Sequence, residues 1–254
     1  MTDTSIQPAA QSTTGLSQME RVIDTFAAPS KTFTDIKNGH RAWWLPFIIY
    51  VLLGYAFFFV VNTKVGMRQV SENQVHLSPK AEERMQTMTP EQRETQMKFS
   101  TYFIEGAFYA GPVFLLIMGL VISLIMWGTI NLGFGGRAKF GSVLAVWMYA
   151  MLPYQVIKTL LGIIVLYAGA APESFNIKNF APTNVGAFLN PADVGPAIYS
   201  LATSIDIVTI WTLVLVGIGT AMVAGVKRSS GYIAAFGWWA LVVLFGVGAA
   251  AVMG

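Results

Sequence analysis

Four long apolar runs without a charged residue constrain this chain more than any other feature. They extend over residues 43–61, 107–130, 207–226 and 231–253. A helix rises ~1.5 Å per residue, so each run is long enough to cross a hydrocarbon core ~30 Å thick. Only 11% of the residues are charged, whereas a soluble domain carries about a quarter. The sequence therefore predicts an all-α fold, a polytopic membrane helix bundle.

A further apolar stretch, residues 140–171, is too long for one straight crossing. Its strongly polar side chains are Gln155 and Lys158. A straight helix over the stretch would extend ~48 Å, and Pro153 near its middle should kink it. Two alternatives follow. Either the stretch is one broken crossing and the chain has five spans, or it crosses twice and the chain has six.

The distribution of Lys and Arg favours five spans with a cytoplasmic N-terminus, because these residues accumulate in short cytoplasmic loops. In that arrangement the outer loop 172–204 carries only Lys178, and the C-terminus lies outside. With six spans, Lys227 and Arg228 would be outside. The residues placed inside by five spans are Arg21, Lys31, Lys37, Arg41, Arg137, Lys139, Lys227 and Arg228.

The segments outside the spans are also predicted to be largely helical. Residues 1–15 form a polar tail that we expect to be disordered. Residues 16–42 form two short amphipathic helices, the first opened by a capping box at Ser17. They either lie on the membrane surface or pack on the protein's own spans. The extramembrane loop 62–101 has helix starts at Ser78 and Thr89, which indicates a solvated helical hairpin rather than a ligand-binding cap.

Three ionisable residues, Glu105, Lys158 and Asp206, fall at or near membrane depth. Five spans would place all three near the outer boundary. Charges at such depth are costly and usually find partners. We therefore expect a polar membrane cluster in which Lys158 pairs with Glu105 or Asp206. This cluster is either a structural ion pair with a snorkelling lysine or a polar site open to the outer face.

The composition excludes several kinds of site. The chain has no Cys and two His, so thiolate chemistry is excluded and a histidine metal site is not expected. Gly-Phe-Gly-Gly at 133–136 lacks the Lys-Ser or Lys-Thr of a phosphate-binding loop. The scattered basic residues argue against nucleic acid as a partner. We expect no catalytic residues, no cofactor and no metal.

Five short stretches resemble the Yip family of Ypt/Rab-GTPase-interacting membrane proteins, in its bacterial branch. They are Ala-Pro-Ser-Lys-Thr-Phe-Thr-Asp-Ile (28–36), Trp-Leu-Pro-Phe (44–47), Gly-Gly-Arg-Ala-Lys-Phe (135–140), Tyr149-x-x-x-Pro153 and Asp-Ile-Val-Thr-Ile-Trp (206–211). Their order and spacing cover most of residues 28–254. The motif positions are Pro29, Phe33, Trp44, Pro46, Gly135, Gly136, Tyr149, Pro153 and Trp211.

The resemblance implies a non-enzymatic scaffold or adaptor with a Yip-like transmembrane domain over residues 43–254, in a bacterial inner membrane. The family's eukaryotic members serve prenylated GTPases and vesicle traffic. This sequence lacks their Asp-Leu-Tyr-Gly-Pro stretch, which argues against a GTPase partner. The expected partners are the lipid bilayer and an unidentified membrane or peripheral protein. A homo-oligomer is compatible with the small residues spaced along residues 217–225. The alternative is a small transporter, channel or lipid-handling protein that uses the polar cluster.

Overall fold

The computed structural model describes residues 15–253, so the predicted tail lies almost wholly outside the described residues. Over this range the chain is helical and forms no β-strand, only an isolated β-bridge between Asn184 and Asp206. The predicted all-α fold is confirmed. The helices are α1 (Gln18–Ala27), α2 (Pro29–Lys37), α3 (Trp44–Lys64), α4 (Met67–His76), α5 (Pro79–Gln86), α6 (Pro90–Gly128), α7 (Phe140–Ala150), α8 (Leu152–Tyr167), α9 (Pro191–Ser204), α10 (Ile207–Ala224) and α11 (Arg228–Met253).

Within residues 15–253, five helical segments are long and apolar enough to cross a membrane. They are α3, α6 with the π-helical turn Thr129–Gly133, α7 together with α8, α10, and α11. The number of spans and the break in the third agree with the prediction. The third span ends at Tyr167 rather than at residue 171, and Gly169 follows with a positive φ of 95°. Glycine adopts that conformation at little cost, so it suits a chain that leaves a helix.

Helix α6 continues far beyond the membrane. Its first turn is closed by a capping box, in which Thr89 Oγ1 accepts a hydrogen bond from the Gln92 N–H at 3.3 Å. The helix has 39 residues, roughly 58 Å, about twice the thickness of the hydrocarbon core. The extramembrane part packs on α4, a helix that the sequence analysis did not predict. There Arg68 binds Glu94 with two nitrogens, at 3.1 and 2.9 Å.

Helix α7 is the centre of the bundle. Every residue from Ser142 to Ala150 is buried, and the helix packs between α6 and α10. Small residues permit this approach. A Cβ added at Gly119 of α6 would lie 2.7 Å from the Trp147 ring, and one at Gly219 of α10 would lie 2.5 Å from Val146.

The break between α7 and α8 exposes backbone carbonyls that need partners. Pro153 lies in the first turn of α8 and has no N–H to donate to the carbonyl of Tyr149. The hydroxyl of Tyr50, on α3, donates to the neighbouring carbonyl of Met148. The kink is therefore stabilised by a side chain from another span.

The helices α1 and α2, here called the N-terminal hairpin, pack on the bundle. On α2, Phe33 and Ile36 are wholly buried, and a Cβ added at Gly219 of α10 would contact the Phe33 ring. On α1, Met19 and Ile23 are 57% and 59% exposed. Of the two predicted alternatives, packing on the protein's own helices therefore holds for α2. One apolar side of α1 remains free to meet lipid.

The segment between α8 and α10 folds back over the end of the bundle away from the N-terminal hairpin. The Asn73 amide of α4 donates to the carbonyls of Pro172 and Phe175, at 2.7 and 2.9 Å. Phe175 is buried in a second apolar core with Phe57 and Val61 of α3. The bundle thus has one core around α7, at the hairpin end, and a smaller core at the opposite end.

Candidate functional site

Asp206 joins α8, the following loop and α10 at the end of the bundle away from the N-terminal hairpin. It is the N-cap of α10, where Oδ1 accepts a hydrogen bond from the Thr209 N–H at 2.9 Å. Its Oδ2 lies 2.6 Å from Lys158 Nζ on α8 and 2.6 Å from the donating Thr183 hydroxyl. The side chains of Lys158 and Asp206 are only 13% and 3% exposed.

The backbone around Asp206 ties the same segments together. The Ile207 N–H donates to the Thr183 carbonyl at 3.1 Å, and the Val185 N–H donates to the Ile205 carbonyl at 3.2 Å. The Lys158 ammonium also lies 5.5 Å from the centre of the Tyr154 ring. The buried ion pair therefore acts as a clamp between the third span, the following loop and the fourth span.

Glu105 is not part of this clamp. Its side chain is half-buried on α6, and within residues 15–253 it makes no hydrogen bond or ion pair. The structure thus brings together two of the three residues of the predicted polar membrane cluster. Lys158 pairs with Asp206, and the carboxylate of Glu105 is left without a cationic partner among the described residues.

A second buried ion pair, which the sequence analysis missed, lies at the hairpin end. Arg21 Nε on α1 is 3.3 Å from Asp35 Oδ2 on α2, and both side chains are under 10% exposed. Asp35 Oδ1 also accepts a hydrogen bond from the Leu16 N–H at 3.1 Å and lies 2.9 Å from His40 Nδ1. The pair thus ties together α1, α2 and the chain that leads into α3.

Arg21 also connects the hairpin to the bundle. Its Nη1 donates to the His40 carbonyl at 2.6 Å, and its guanidinium lies 5.7 Å from the centre of the Tyr149 ring on α7. The Tyr149 hydroxyl donates to the Ala42 carbonyl at 3.1 Å. The sequence did carry one signal for this cluster, an Asp in the same motif as the apolar Phe33 and Ile36.

Several motif positions meet where the hairpin docks. Phe33 is buried beside α10, Tyr149 lies beneath Arg21, and the Trp211 ring packs edge-on against Phe26 with centroids 6.4 Å apart. Pro29 begins α2, Pro46 is buried in the first turn of α3, and Trp44 beside it is 52% exposed.

The two motif glycines shape the loop between the second and third spans. Gly135 has a positive φ of 68°, and a Cβ added at Gly136 would lie 2.9 Å from Ala224 Cβ. The adjacent Arg137 N–H donates to the Ala224 carbonyl at 3.0 Å. Glycine is required here because the loop both turns sharply and lies against the end of α10.

The hairpin end carries exposed cations, which we call the basic face. Thr34 of α2 contacts Met222 Sδ of α10 at 3.4 Å, so α2 lies beside the last turns of α10. The hydrogen bond between Arg137 and Ala224 places the loop between the second and third spans at the same end of α10. Each member is exposed, and none forms an ion pair within the described part of the chain. The basic face consists of Lys31, Lys37, Arg137, Lys139, Lys227 and Arg228.

Over the described residues there is no group of three or more His, Asp or Glu side chains that could hold a metal ion. At membrane depth, Lys158 and Asp206 are each other's partners, and their contact stabilises the packing between helices.

The chain matches a known protein family. The Yip1 domain family matches residues 23–250, nearly the whole chain. No curated protein and no solved structure matches the chain. The matched range includes the Arg21 partner Asp35, both residues of the Lys158–Asp206 pair and the whole basic face.

Proposed function

This chain belongs to the Yip1 domain family, and on that premise we propose that it is a non-enzymatic integral membrane scaffold or adaptor. Its basic face lies on the cytoplasmic side and binds an acidic peripheral protein. The observation that carries the proposal is the basic face itself. Six cations are exposed at one end of the bundle, and none has an acidic partner within residues 15–253.

The packing of the hairpin against the bundle supports this proposal. Lys31 and Lys37 lie on α2, whose other side is held by the buried Phe33 and by the Arg21–Asp35 pair. A charged surface that is already ordered loses little conformational entropy when it binds. Complementary charge also accelerates encounter with an acidic partner and disfavours a basic one.

The rival function is a small transporter, channel or lipid-handling protein. The broken third span favours it, because broken helices line substrate sites in transporters. A polar solute, however, needs groups that are free to bind it. Lys158 and Asp206 bind each other and are nearly buried, and Thr183 already donates to Asp206. The Lys158–Asp206 pair therefore supports packing more than transport.

The test is affinity purification from native membranes with wild type and a Lys31→Gln, Lys37→Gln variant. Removing two charges from α2 leaves the buried side of the hairpin intact. The matched control is Lys178→Gln, which removes an exposed charge from the loop at the opposite end. We expect a stoichiometric acidic protein to co-purify with wild type and the control, and its recovery to fall at least tenfold with the double variant.

Two outcomes would overturn the proposal. One is a protein partner that the double variant retains in full. The other is a preparation in which wild type and variant carry only lipid or solute. Raising the salt concentration should reproduce the effect of the double variant, because exposed charges are screened by ions.

A further inference from the structure

An apolar groove opens on the side of the bundle between α3, α6 and α8. It has a volume of about 380 Å³, and its walls come mainly from α3 and α6. We propose that this groove binds one acyl chain of a phospholipid, whose ammonium headgroup pairs with Glu105. This inference goes beyond the scaffold function, since it concerns a different part of the molecule.

Glycines leave the groove open. Gly54 of α3 and Gly111 of α6 both line it, and a Cβ added at either would meet nothing within 4 Å. They differ in this respect from Gly119 and Gly219, which allow helices to touch. The space between α3 and α6 is therefore not closed by the protein's own side chains.

The dimensions of the groove fit one chain of one leaflet. Along α6 its lining extends from Phe103 to Leu115, which corresponds to ~18 Å of helix. Half of the hydrocarbon core of a bilayer is ~15 Å thick. An acyl chain that lies along α6 would therefore fill the groove over most of its length.

The three polar side chains of the lining each make a hydrogen bond within the protein. The Tyr50 hydroxyl donates to the Met148 carbonyl, and the Tyr55 hydroxyl donates to the Tyr109 carbonyl at 3.3 Å. The Gln155 amide lies 3.4 Å from Thr159 Oγ1 on its own helix. The groove therefore presents apolar surface, which suits a hydrocarbon chain rather than a polar solute.

The position of Glu105 favours a lipid with an ammonium headgroup. Glu105 follows Ile104, a residue of the groove lining, at the end of the groove away from the N-terminal hairpin. None of the cations at this end forms an ion pair with it within the described residues: Lys158 binds Asp206, Lys98 lies 3.7 Å from Glu94, and Lys64 Nζ lies 4.3 Å from the centre of the Tyr167 ring. A carboxylate near the membrane boundary is costly without a partner. A lipid ammonium group would provide the complementary charge.

Native mass spectrometry of the full chain in mild detergent tests the proposal. The probes are phosphatidylethanolamine, which has an ammonium headgroup, and phosphatidylglycerol, which has none. We expect wild type to retain one phosphatidylethanolamine and to prefer it at least tenfold. Gly111→Leu fills the groove and should reduce retention at least tenfold, and Gly54→Leu should do the same from the other wall.

The matched control is Gly106→Leu. It changes an equally open glycine of α6 that does not line the groove, so it should retain the lipid. Glu105→Gln should still bind one phospholipid but lose the preference for the ammonium headgroup. Thermal unfolding in detergent confirms that each variant is folded.

Three results would overturn the proposal. The first is a wild type that retains no phospholipid. The second is equal retention by Gly106→Leu and by both groove variants, which would mean that lipid binds elsewhere. The third is an unchanged headgroup preference in Glu105→Gln. None of these depends on the basic face, so the scaffold function would stand or fall separately.

Discussion

Lys158 Nζ and Asp206 Oδ2 lie 2.6 Å apart although 48 positions separate the two residues in the chain. Their contact joins the third and fourth spans at the end of the bundle opposite the N-terminal hairpin. Because both side chains are nearly buried, water and salt screen the pair only weakly. Its loss would leave a charge without compensation in a region of low polarity.

We therefore expect Lys158→Met to lower the free energy of unfolding in detergent by about 3 kcal/mol. Adding Asp206→Asn should recover much of the loss, since Asn can still cap α10 through the Thr209 N–H. A double-mutant cycle measures the coupling. Combining Lys158→Met with Glu105→Gln should give additive losses. Strong coupling to Glu105 instead would contradict the observed pairing.

The Arg21–Asp35 pair should hold the N-terminal hairpin on the bundle. The chain contains no Cys, so a single Phe33→Cys change provides a reporter at a wholly buried position. That thiol should react slowly with a maleimide. Adding Arg21→Gln should increase the rate at least tenfold, because the buried Asp35 then loses its guanidinium partner.

The matched control for the hairpin is Asp24→Asn, which changes a half-buried carboxylate of α1 that has no ion pair within the described residues. It should leave the reactivity of the thiol near that of Phe33→Cys alone. Equal rates for the Arg21 and Asp24 variants would show that the buried pair does not hold the hairpin in place.

Because α7 is closely packed, alanine substitutions at two glycines should differ in their effect on stability. Gly219→Ala would place a Cβ 2.5 Å from Val146 and 3.0 Å from the Phe33 ring, and overpacking of this kind costs about 1–3 kcal/mol. Gly237→Ala on α11 meets nothing within 4 Å and should be neutral or slightly stabilising, because Ala favours helix. Thermal unfolding of both variants measures the difference. Equal stability would mean that α7 and α10 are loosely packed.

The five spans and the charge rule together predict that the N-terminus is cytoplasmic and the C-terminus outside. In a bacterial host, a reporter that is active only in the periplasm should work when fused after Gly254. A reporter that is active only in the cytoplasm should work when it is fused at the N-terminus. Activity of the cytoplasmic reporter at the C-terminus would reverse the assignment of the basic face.

Features that depend on neighbouring residues were predictable from the sequence, whereas contacts between residues far apart in the chain were not. The capping boxes at Ser17 and Thr89 and the break near Pro153 depend on neighbouring residues, and the structure contains all three. Helix α4 was missed because its start at Gly66 has no side-chain cap. The Arg21–Asp35 pair was missed because its two residues lie on different helices, which meet only when the hairpin folds.

The sequence by itself determined the number and approximate limits of the spans. In lipid the backbone must satisfy its own hydrogen bonds, so a long apolar run forms a helix wherever it crosses. Only the tertiary structure decided which side chains meet. Apolar residues face lipid as readily as protein, so the rotation of each helix leaves little trace in the sequence. The choice of Asp206 over Glu105 for Lys158, the burial of Phe33 and the groove at Gly54 and Gly111 all depend on that rotation.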